Sequence, residues 1–147
     1  MKIAIVRIET KLTLALVATL LLCASAVSQT LQDSERRAKQ SSESWLALVD
    51  RGKYAESWDE AAQLFKAAVT KDQWQGMLHA TRDPLGKLVS RTGKSARYTK
   101  SLPGAPDGEY VVIQYDSSFE NKQSAVETVV PMLDKDGKWR ISGYFIK

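Results

Sequence analysis

The spacing of apolar residues changes once along this chain, and this change restricts the fold to one class. Before Pro84, apolar residues recur at helical spacing, most clearly in a series that falls on one helix face, namely Tyr54, Trp58, Ala61, Ala62, Phe65 and Val69. After Gly86, β-branched and aromatic residues recur at a spacing close to two, which is typical of strands. Helices followed by strands predict an α+β fold.

The N-terminal part predicts about three helices. A thin apolar stripe over residues 29–49 indicates the first helix, which Gly52 ends. The series from Tyr54 to Val69 is predicted to form one continuous second helix. Thr70 and Gln73 match a capping box, which begins a third helix, and Asp83-Pro84 ends it because proline disfavours helical geometry in the preceding residue.

The C-terminal part predicts a curved antiparallel sheet of about four to five strands, on which the helices pack. Strands are expected at residues 87–92 and 95–101, with a break at Gly93, and at 109–119, 124–133 and 138–146. Residues 102–108 form a loop. The turn 134–137 joins the last two strands because Gly137 can adopt the positive φ that the turn requires. Pro131 indicates a sheet edge or a bulge.

A register for the last hairpin follows from pairing Met132 with Trp139. The face predicted to pack under the helices then carries Val126, Thr128, Val130, Met132, Trp139, Ile141, Gly143 and Phe145. The opposite, outer face carries Glu127, Val129, Pro131, Arg140, Ser142 and Tyr144.

Residues 1–28 have the three parts of a secretory signal peptide. A basic start precedes an uncharged apolar run over Leu12–Leu22, and Ala24-Ser25-Ala26 supplies the small residues that signal peptidase recognises. The apolar run is shorter than the roughly 20 residues that span a bilayer. Cleavage is therefore expected near Ala26 or Ser28, which leaves no stable membrane anchor and a periplasmic or secreted protein.

The mature chain is expected to contain an exposed helix or tether over residues 29–40 and one α+β domain over residues 41–147. Lipid attachment at Cys23 is disfavoured because the bulky Leu22 precedes it, and cleavage removes this single cysteine. The chain has 21 basic and 17 acidic residues, and the leader contains three basic residues and Glu9, so 18 and 16 remain, a net charge of +2. So small a charge gives no argument for a nucleic-acid partner.

A set of short matches in one order covers residues 41–147. It consists of Trp45-Leu46 with Asp50, Gly52-Lys53-Tyr54, Ser57-Trp58, Trp74, Arg82, Pro84-Leu85-Gly86, Ser90-Arg91, Leu102-Pro103-Gly104, Asp107-Gly108-Glu109-Tyr110, Glu127-Thr128, Asp136-Gly137, Trp139-Arg140 and Gly143-Tyr144. In these residues the chain resembles the bacterial domain of unknown function 4019 family. The resemblance implies a small exported domain of helices and a sheet, and it assigns no catalytic residue. A curved sheet around helices would also resemble the nuclear transport factor 2 and cystatin architectures, a likeness of fold that implies no function.

Three residues on the outer sheet face form a candidate ligand-binding site, Glu127, Arg140 and Tyr144. On a covered, concave face, a carboxylate, a guanidinium and a phenol would grip a small polar ligand. On an open face, they would form a surface ion pair beside a partly exposed tyrosine.

A block of basic residues is the second candidate, an anion-binding patch made of Lys87, Arg91, Lys94 and Arg97. The alternative interpretation is a solvated strand whose basic side chains are attracted to acidic residues of the next strand, such as Asp116.

Other functional residues are few. His79 is the only histidine, and neither a metal-ligand spacing nor a cofactor motif occurs, so no metal and no cofactor are predicted. The four tryptophans lie on predicted core faces, which favours core packing over carbohydrate binding.

Three functions remain open. The preferred hypothesis is a non-catalytic exported module that binds a small ligand or an envelope protein through the outer sheet face. The second is a small pocket enzyme with Glu127 or His79 as general base. The third is a structural module that forms a homodimer through the sheet.

Overall fold

The structure is a computed structural model that describes residues 28–147. The predicted signal peptide, apart from Ser28, and Cys23 lie outside the described residues. The chain divides into two units, residues 1–33 and 34–147. In the first unit residues 28–33 are helical, and everything below concerns the second. No helix within residues 28–147 is long and apolar enough to cross a membrane.

Helices make up the first part of the second unit. Residues 34–50 of this unit are helical and form α1. They are followed by α2 (Tyr54–Asp59), α3 (Gln63–Ala68) and α4 (Lys71–Arg82), with a short 3-10 turn at Asp83–Leu85. The predicted capping box at Thr70 is confirmed. The Gln73 N–H donates to the Thr70 hydroxyl at 3.3 Å, and the Thr70 N–H donates to the Gln73 side-chain oxygen at 3.0 Å. Two orphan donors at the start of α4 are thereby satisfied.

The continuous second helix predicted from Tyr54 to Val69 is wrong, although its apolar face is right. The chain leaves the helix after Asp59 because Ala62 is extended and donates its N–H to the Ile141 carbonyl at 2.9 Å. Ala61 and Ala62 are fully buried at this point, since only small side chains let the backbone approach the sheet so closely. The apolar residues from Tyr54 to Val69 therefore keep a helical spacing in the sequence, although the hydrogen bond from Ala62 to the sheet interrupts the helix between them.

The sheet is a meander of four antiparallel strands in the order β1-β2-β3-β4. The strands are β1 (Leu88–Thr99), β2 (Tyr110–Phe119), β3 (Lys122–Leu133) and β4 (Trp139–Ile146). The expected break at Gly93 is a register shift between Gly93 and Ser95 inside one strand. Gly137 has the positive φ predicted for the last turn, at 77°. Helices followed by an antiparallel sheet confirm the α+β prediction.

The predicted register of the last hairpin is wrong by one residue. Met132 pairs with Arg140, and Leu133 pairs with Trp139. Because side chains alternate along a strand, this slip moves every side chain of β3 to the other face. Glu127, Val129 and Pro131 are consequently buried on the core side.

A bulge in β4 changes the faces again further along the hairpin. Val130 pairs with Gly143 and Pro131 with Ile141, so Ser142 is the extra residue, and its hydroxyl donates to the Val130 carbonyl at 2.8 Å. This confirms the bulge alternative that the proline predicted. Ile141 and Tyr144 therefore both contact the core, although they are three positions apart in the sequence.

Phe145 shows the consequence at the end of β4. Its side chain was expected in the core, but it is 61% exposed. Trp139 and Ile141 are buried as predicted, because they precede the bulge.

The core lies between the helices and the inner face of the sheet. Trp45, Trp74 and Trp139 are buried there, and Trp58 packs against them partly buried. The indole N–H groups of Trp45 and Trp74 donate to Ser57, one to its carbonyl at 2.7 Å and one to its hydroxyl at 3.0 Å. Core packing of the tryptophans is confirmed.

Candidate functional site

Glu127 lies at the centre of a buried charge network. Its side chain is fully buried on the core side of β3. Oε2 accepts hydrogen bonds from Arg91 Nε at 2.6 Å and from Ser117 Oγ at 2.5 Å. Oε1 accepts from Tyr144 Oη at 2.6 Å and from Arg91 Nη2 at 3.0 Å. Donors from the other three strands therefore surround one carboxylate of β3.

Arg91 connects this carboxylate to α1. Its Nη1 donates to Asp50 Oδ2 at 2.6 Å, and its Nη2 donates to Asp50 Oδ1 at 2.9 Å. The carboxylates of Glu127 and Asp50 thus each accept two hydrogen bonds from the planar guanidinium. Asp50 ends α1, where the helix dipole disfavours a negative charge, so the guanidinium offsets an unfavourable position.

Arg82 is the second cation of the network. It ends α4, and its Nη2 donates to Asp50 Oδ1 at 2.8 Å. Its guanidinium lies 4.3 Å from the centre of the Phe119 ring, a cation–π contact. The side chain is only 4% exposed, and Nε and Nη1 have no hydrogen-bond partner among the described residues. The contact with the Phe119 ring offsets part of the free-energy cost of burying these two N–H groups without a hydrogen-bond partner.

The charges of the network balance, with two carboxylates against two guanidinium groups. Burial raises the pKa of Glu127, but hydrogen bonds from Arg91, Ser117 and Tyr144 outweigh burial and hold this pKa below its usual value. Burial and the charge of Glu127 raise the pKa of Tyr144. Glu127 is therefore ionised at neutral pH, and Tyr144 keeps its proton.

This arrangement argues against proton transfer by Glu127. Both of its oxygens are occupied, and its side chain is inaccessible to solvent. The network instead joins α1, α4 and all four strands through one side chain from each, namely Asp50, Arg82, Arg91, Ser117, Glu127 and Tyr144. The role that this geometry indicates for the network is to hold these helices and strands together.

The sequence predicts only part of the network. Glu127 and Tyr144 are predicted on one sheet face, and the structure joins them, but on the core side. Asp50, Arg82 and Ser117 are members that no sequence pattern indicates. Their partners lie 10 to 41 residues away along the chain, so no local pattern marks them. The one available signal was that the short sequence matches include Asp50 and Arg82.

The structure does not bring Arg140 to Glu127. It lies opposite Met132, and its guanidinium donates to Asp134 at 2.9 Å and to Asp136 at 2.9 and 2.8 Å. The hydrogen bond from Arg140 lowers the pKa of Asp136 to about 2. Arg140 therefore braces the turn between β3 and β4.

The basic block is divided between two environments. Arg91 turns inward to the network, whereas Lys94 forms an exposed ion pair with Asp116 at 3.0 Å across the sheet. Lys87 and Arg97 are exposed. The structure thus removes Arg91 from the surface on which the anion patch was expected.

His79 is exposed and lies beside a carboxylate. Its Nδ1 is 2.8 Å from Asp83 Oδ2, and the Tyr54 hydroxyl donates to Asp83 Oδ1 at 2.7 Å. Burial and the hydrogen bond to Asp83 raise the pKa of Tyr54 to about 12. The His79 and Asp83 side chains are 61% and 54% exposed, so water surrounds the pair.

Two adjoining cavities beside the last turn form an open groove, which we call the hairpin groove. The first cavity, of about 620 Å³, lies between α1, α2 and the start of β4, with Trp45 and Trp139 in its wall. The second, of about 930 Å³, lies between α3, the loop before β2 and the β3–β4 turn, with Leu64 and Met132 in its wall. Both volumes are in the range of ligand-binding clefts, about 300 to 1,000 Å³.

The two cavities meet at residues that line both of them, Asp59, Glu60 and Arg140. Arg140 is thus the one predicted site residue that borders this space. Within residues 28–147, no group of three or more side chains is placed to hold a metal ion.

A family model described as "Protein of unknown function (DUF4019)" matches residues 41–144. The chain belongs to this family. The match confirms the sequence resemblance, and it covers the whole charge network, from Asp50 to Tyr144, as well as Glu60 and Arg140 of the hairpin groove. Searches of the curated proteins and of the solved structures find no match for this DUF4019 chain.

Proposed function

We propose that the protein is an exported, non-catalytic module that binds a small ligand or an envelope protein in the hairpin groove. The observation that carries this proposal is the groove itself. It combines apolar walls, such as Leu64 and Met132, with the charged side chains of Glu60 and Arg140. Apolar walls supply binding energy and a few polar groups supply orientation, which is the usual composition of a binding cleft.

The charge network supports a binding function over a catalytic one. A general base needs a free lone pair within reach of a substrate, and each oxygen of Glu127 already accepts two hydrogen bonds. His79 has a carboxylate on Nδ1, as catalytic histidines often do, but the pair lies on an exposed helix surface away from the hairpin groove. Neither Glu127 nor His79, the two candidate general bases, lines the groove.

Export is supported by the leader of the chain. A basic start, an apolar run and a small-residue cleavage site over residues 1–28 are the parts that the secretory pathway recognises.

Native mass spectrometry of the mature protein, purified from its exported compartment, tests the proposal. We expect a non-covalent excess mass on the wild type, which Leu64→Glu abolishes by placing a charge in the apolar wall. Val89→Glu is the matched control, because Val89 is exposed and lies outside the groove. The denatured mass of the same sample should correspond to a chain that begins near residue 27 or 29.

Two results would change the proposal. An excess mass that Leu64→Glu retains would place the ligand outside the hairpin groove. A bare protein mass in the wild type, in both monomeric and dimeric species, would contradict a small ligand and leave an envelope protein as the partner of the groove.

A further inference from the structure

We infer that the hairpin groove binds an extended basic segment of a partner protein, in which a lysine or arginine lies between two apolar residues. The inference rests on the proposed function and specifies its ligand. It follows from the distribution of charge along the groove and from the shape of the two cavities.

The middle of the groove is negatively charged. Glu60 lines both cavities and is exposed, and within residues 28–147 its carboxylate forms no ion pair or hydrogen bond. Beside it, the single positive charge of Arg140 faces the two negative charges of Asp134 and Asp136. Asp59, the remaining acidic residue here, is neutralised by Lys71 at 2.6 Å. The junction therefore has one free carboxylate and one surplus negative charge.

An anion would be rejected at this junction. Arg140 is the cation that lines both cavities, but Asp134 and Asp136 already accept three hydrogen bonds from its guanidinium. The ammonium of Lys66, in the second cavity, already donates to the Asp59 carbonyl. A ligand carboxylate would have to displace them while facing Glu60. An ammonium or guanidinium group, in contrast, gains a charge-assisted hydrogen bond to Glu60 without breaking any existing contact.

Each end of the groove combines an apolar wall with charged side chains. Trp45 and Trp139 line one cavity, and Leu64 and Met132 line the other. Lys138 borders the first cavity, and Lys135 and Asp107 border the second, all with exposed side chains. Lys66, which is half-buried, also lines the second cavity, and its ammonium donates to the Asp59 carbonyl. These groups lie on either side of the junction, so the order along the groove is apolar, acidic, apolar.

An extended peptide fits this order better than a compact molecule does. Each cavity alone has the volume of a small-molecule cleft, and Glu60 lines both of them. A compact ligand would fill one cavity and leave the other empty. A segment with a basic side chain between two apolar ones occupies both cavities and the junction at once.

Amide NMR spectra of the mature protein provide the test, with two capped synthetic heptapeptides as probes. One contains a lysine between two leucines, and the other has glutamate in place of that lysine. We expect the lysine peptide to shift resonances around Glu60, Leu64 and Met132, and to bind about tenfold more tightly than the glutamate peptide, a difference of about 1.4 kcal/mol. Glu60→Gln should weaken the lysine peptide about tenfold.

Asp72→Asn is the matched control for charge, because Asp72 is exposed on α4 and outside the groove. It should leave the affinity for the lysine peptide within twofold. Thermal unfolding of both variants verifies that each is folded, so that a lost affinity reports the groove and not the fold.

Equal binding of the two peptides, or no effect of Glu60→Gln, would overturn the inference. So would a small amine such as butylamine that binds as tightly as the lysine peptide, because the apolar ends would then contribute nothing. If Leu64→Glu removes a native ligand while the lysine peptide fails to bind, the ligand class is wrong and the proposed function stands.

Discussion

Arg91 and Glu127 are joined by two hydrogen bonds, one of 2.6 Å from Nε to Oε2 and one of 3.0 Å from Nη2 to Oε1. They lie on strands that are not neighbours in the sheet, with β2 between them. The pair therefore spans the inner face of the sheet, and Asp50 extends it to α1. Glu127, predicted in the ligand-binding site, and Arg91, predicted in the anion patch, therefore belong to one buried charge network.

Glu127→Ala should destabilise the protein by about 3 to 5 kcal/mol, since it leaves the buried Arg91 guanidinium without one of its two carboxylate partners. Urea unfolding of the mature protein measures the change. Asp116→Asn is the control, because its ion pair with Lys94 is exposed and should contribute at most about 1 kcal/mol. Similar losses in the two variants would contradict the network as described.

Stability should fall in acid, and Glu127 should account for much of the fall. Its pKa is lowered in the folded state, so the unfolded chain binds a proton more readily. The stabilisation is complete well above the unfolded pKa of about 4.3 and is lost as the pH falls through the folded pKa. Urea midpoints measured from pH 7 to pH 3 should decline less steeply in Glu127→Gln than in the wild type. Parallel curves would show that Glu127 does not titrate as inferred.

Gly86→Ala should cost at least about 1 to 2 kcal/mol, because Gly86 has a φ of 73°. A Cβ there would also lie 2.8 Å from Glu120 Oε2, the atom that accepts the Lys87 N–H. Gly76→Ala is the opposite case, since α4 leaves open space at that position, and it should stabilise the protein by about 0.5 to 1 kcal/mol. Thermal melts of both variants verify the signs, and a stabilising Gly86→Ala would refute the turn geometry.

The observed register can be tested at the two ends of β4. Ile141→Ala should cost about 2 to 5 kcal/mol, because Ile141 is completely buried. Phe145→Ala should cost only about 0.2 to 1 kcal/mol, since the ring is exposed and its cross-strand neighbour on β3 is Thr128. Chemical denaturation of both variants measures the difference. A larger loss for Phe145→Ala would favour the register predicted from the sequence.

Much of the secondary structure could be predicted because it depends on neighbouring residues. The capping box at Thr70, the end of α4 near Pro84, and the turn at Gly137 are all present. Each requires only a hydroxyl, a missing N–H or a missing Cβ within a few residues. Pro131 likewise indicated a bulge, although not which residue of β4 would be the extra one.

The candidate site was predicted less well, because faces and partners depend on distant contacts. A single slip between Met132 and Trp139 exchanged the two faces of β3. The extra residue Ser142 exchanged the faces of β4 beyond it, whereas Trp139 and Ile141, which precede it, lie on the predicted face. Alternation along a strand is a strict rule, so one error of register reverses every residue beyond it. Glu127 was consequently expected on the outer face of the sheet.

The sequence by itself determined the order of helices and strands, their caps and turns, and the family, because these depend on local chemistry and on short ordered matches. Only the tertiary structure decided that α2 and α3 are separate, that Arg91 and Glu127 are buried partners, and that Arg140 borders a groove. The physical reason is the same in each case. A hydrogen bond or ion pair between residues many positions apart forms only when the whole fold brings them together, and no pattern in either segment records its partner.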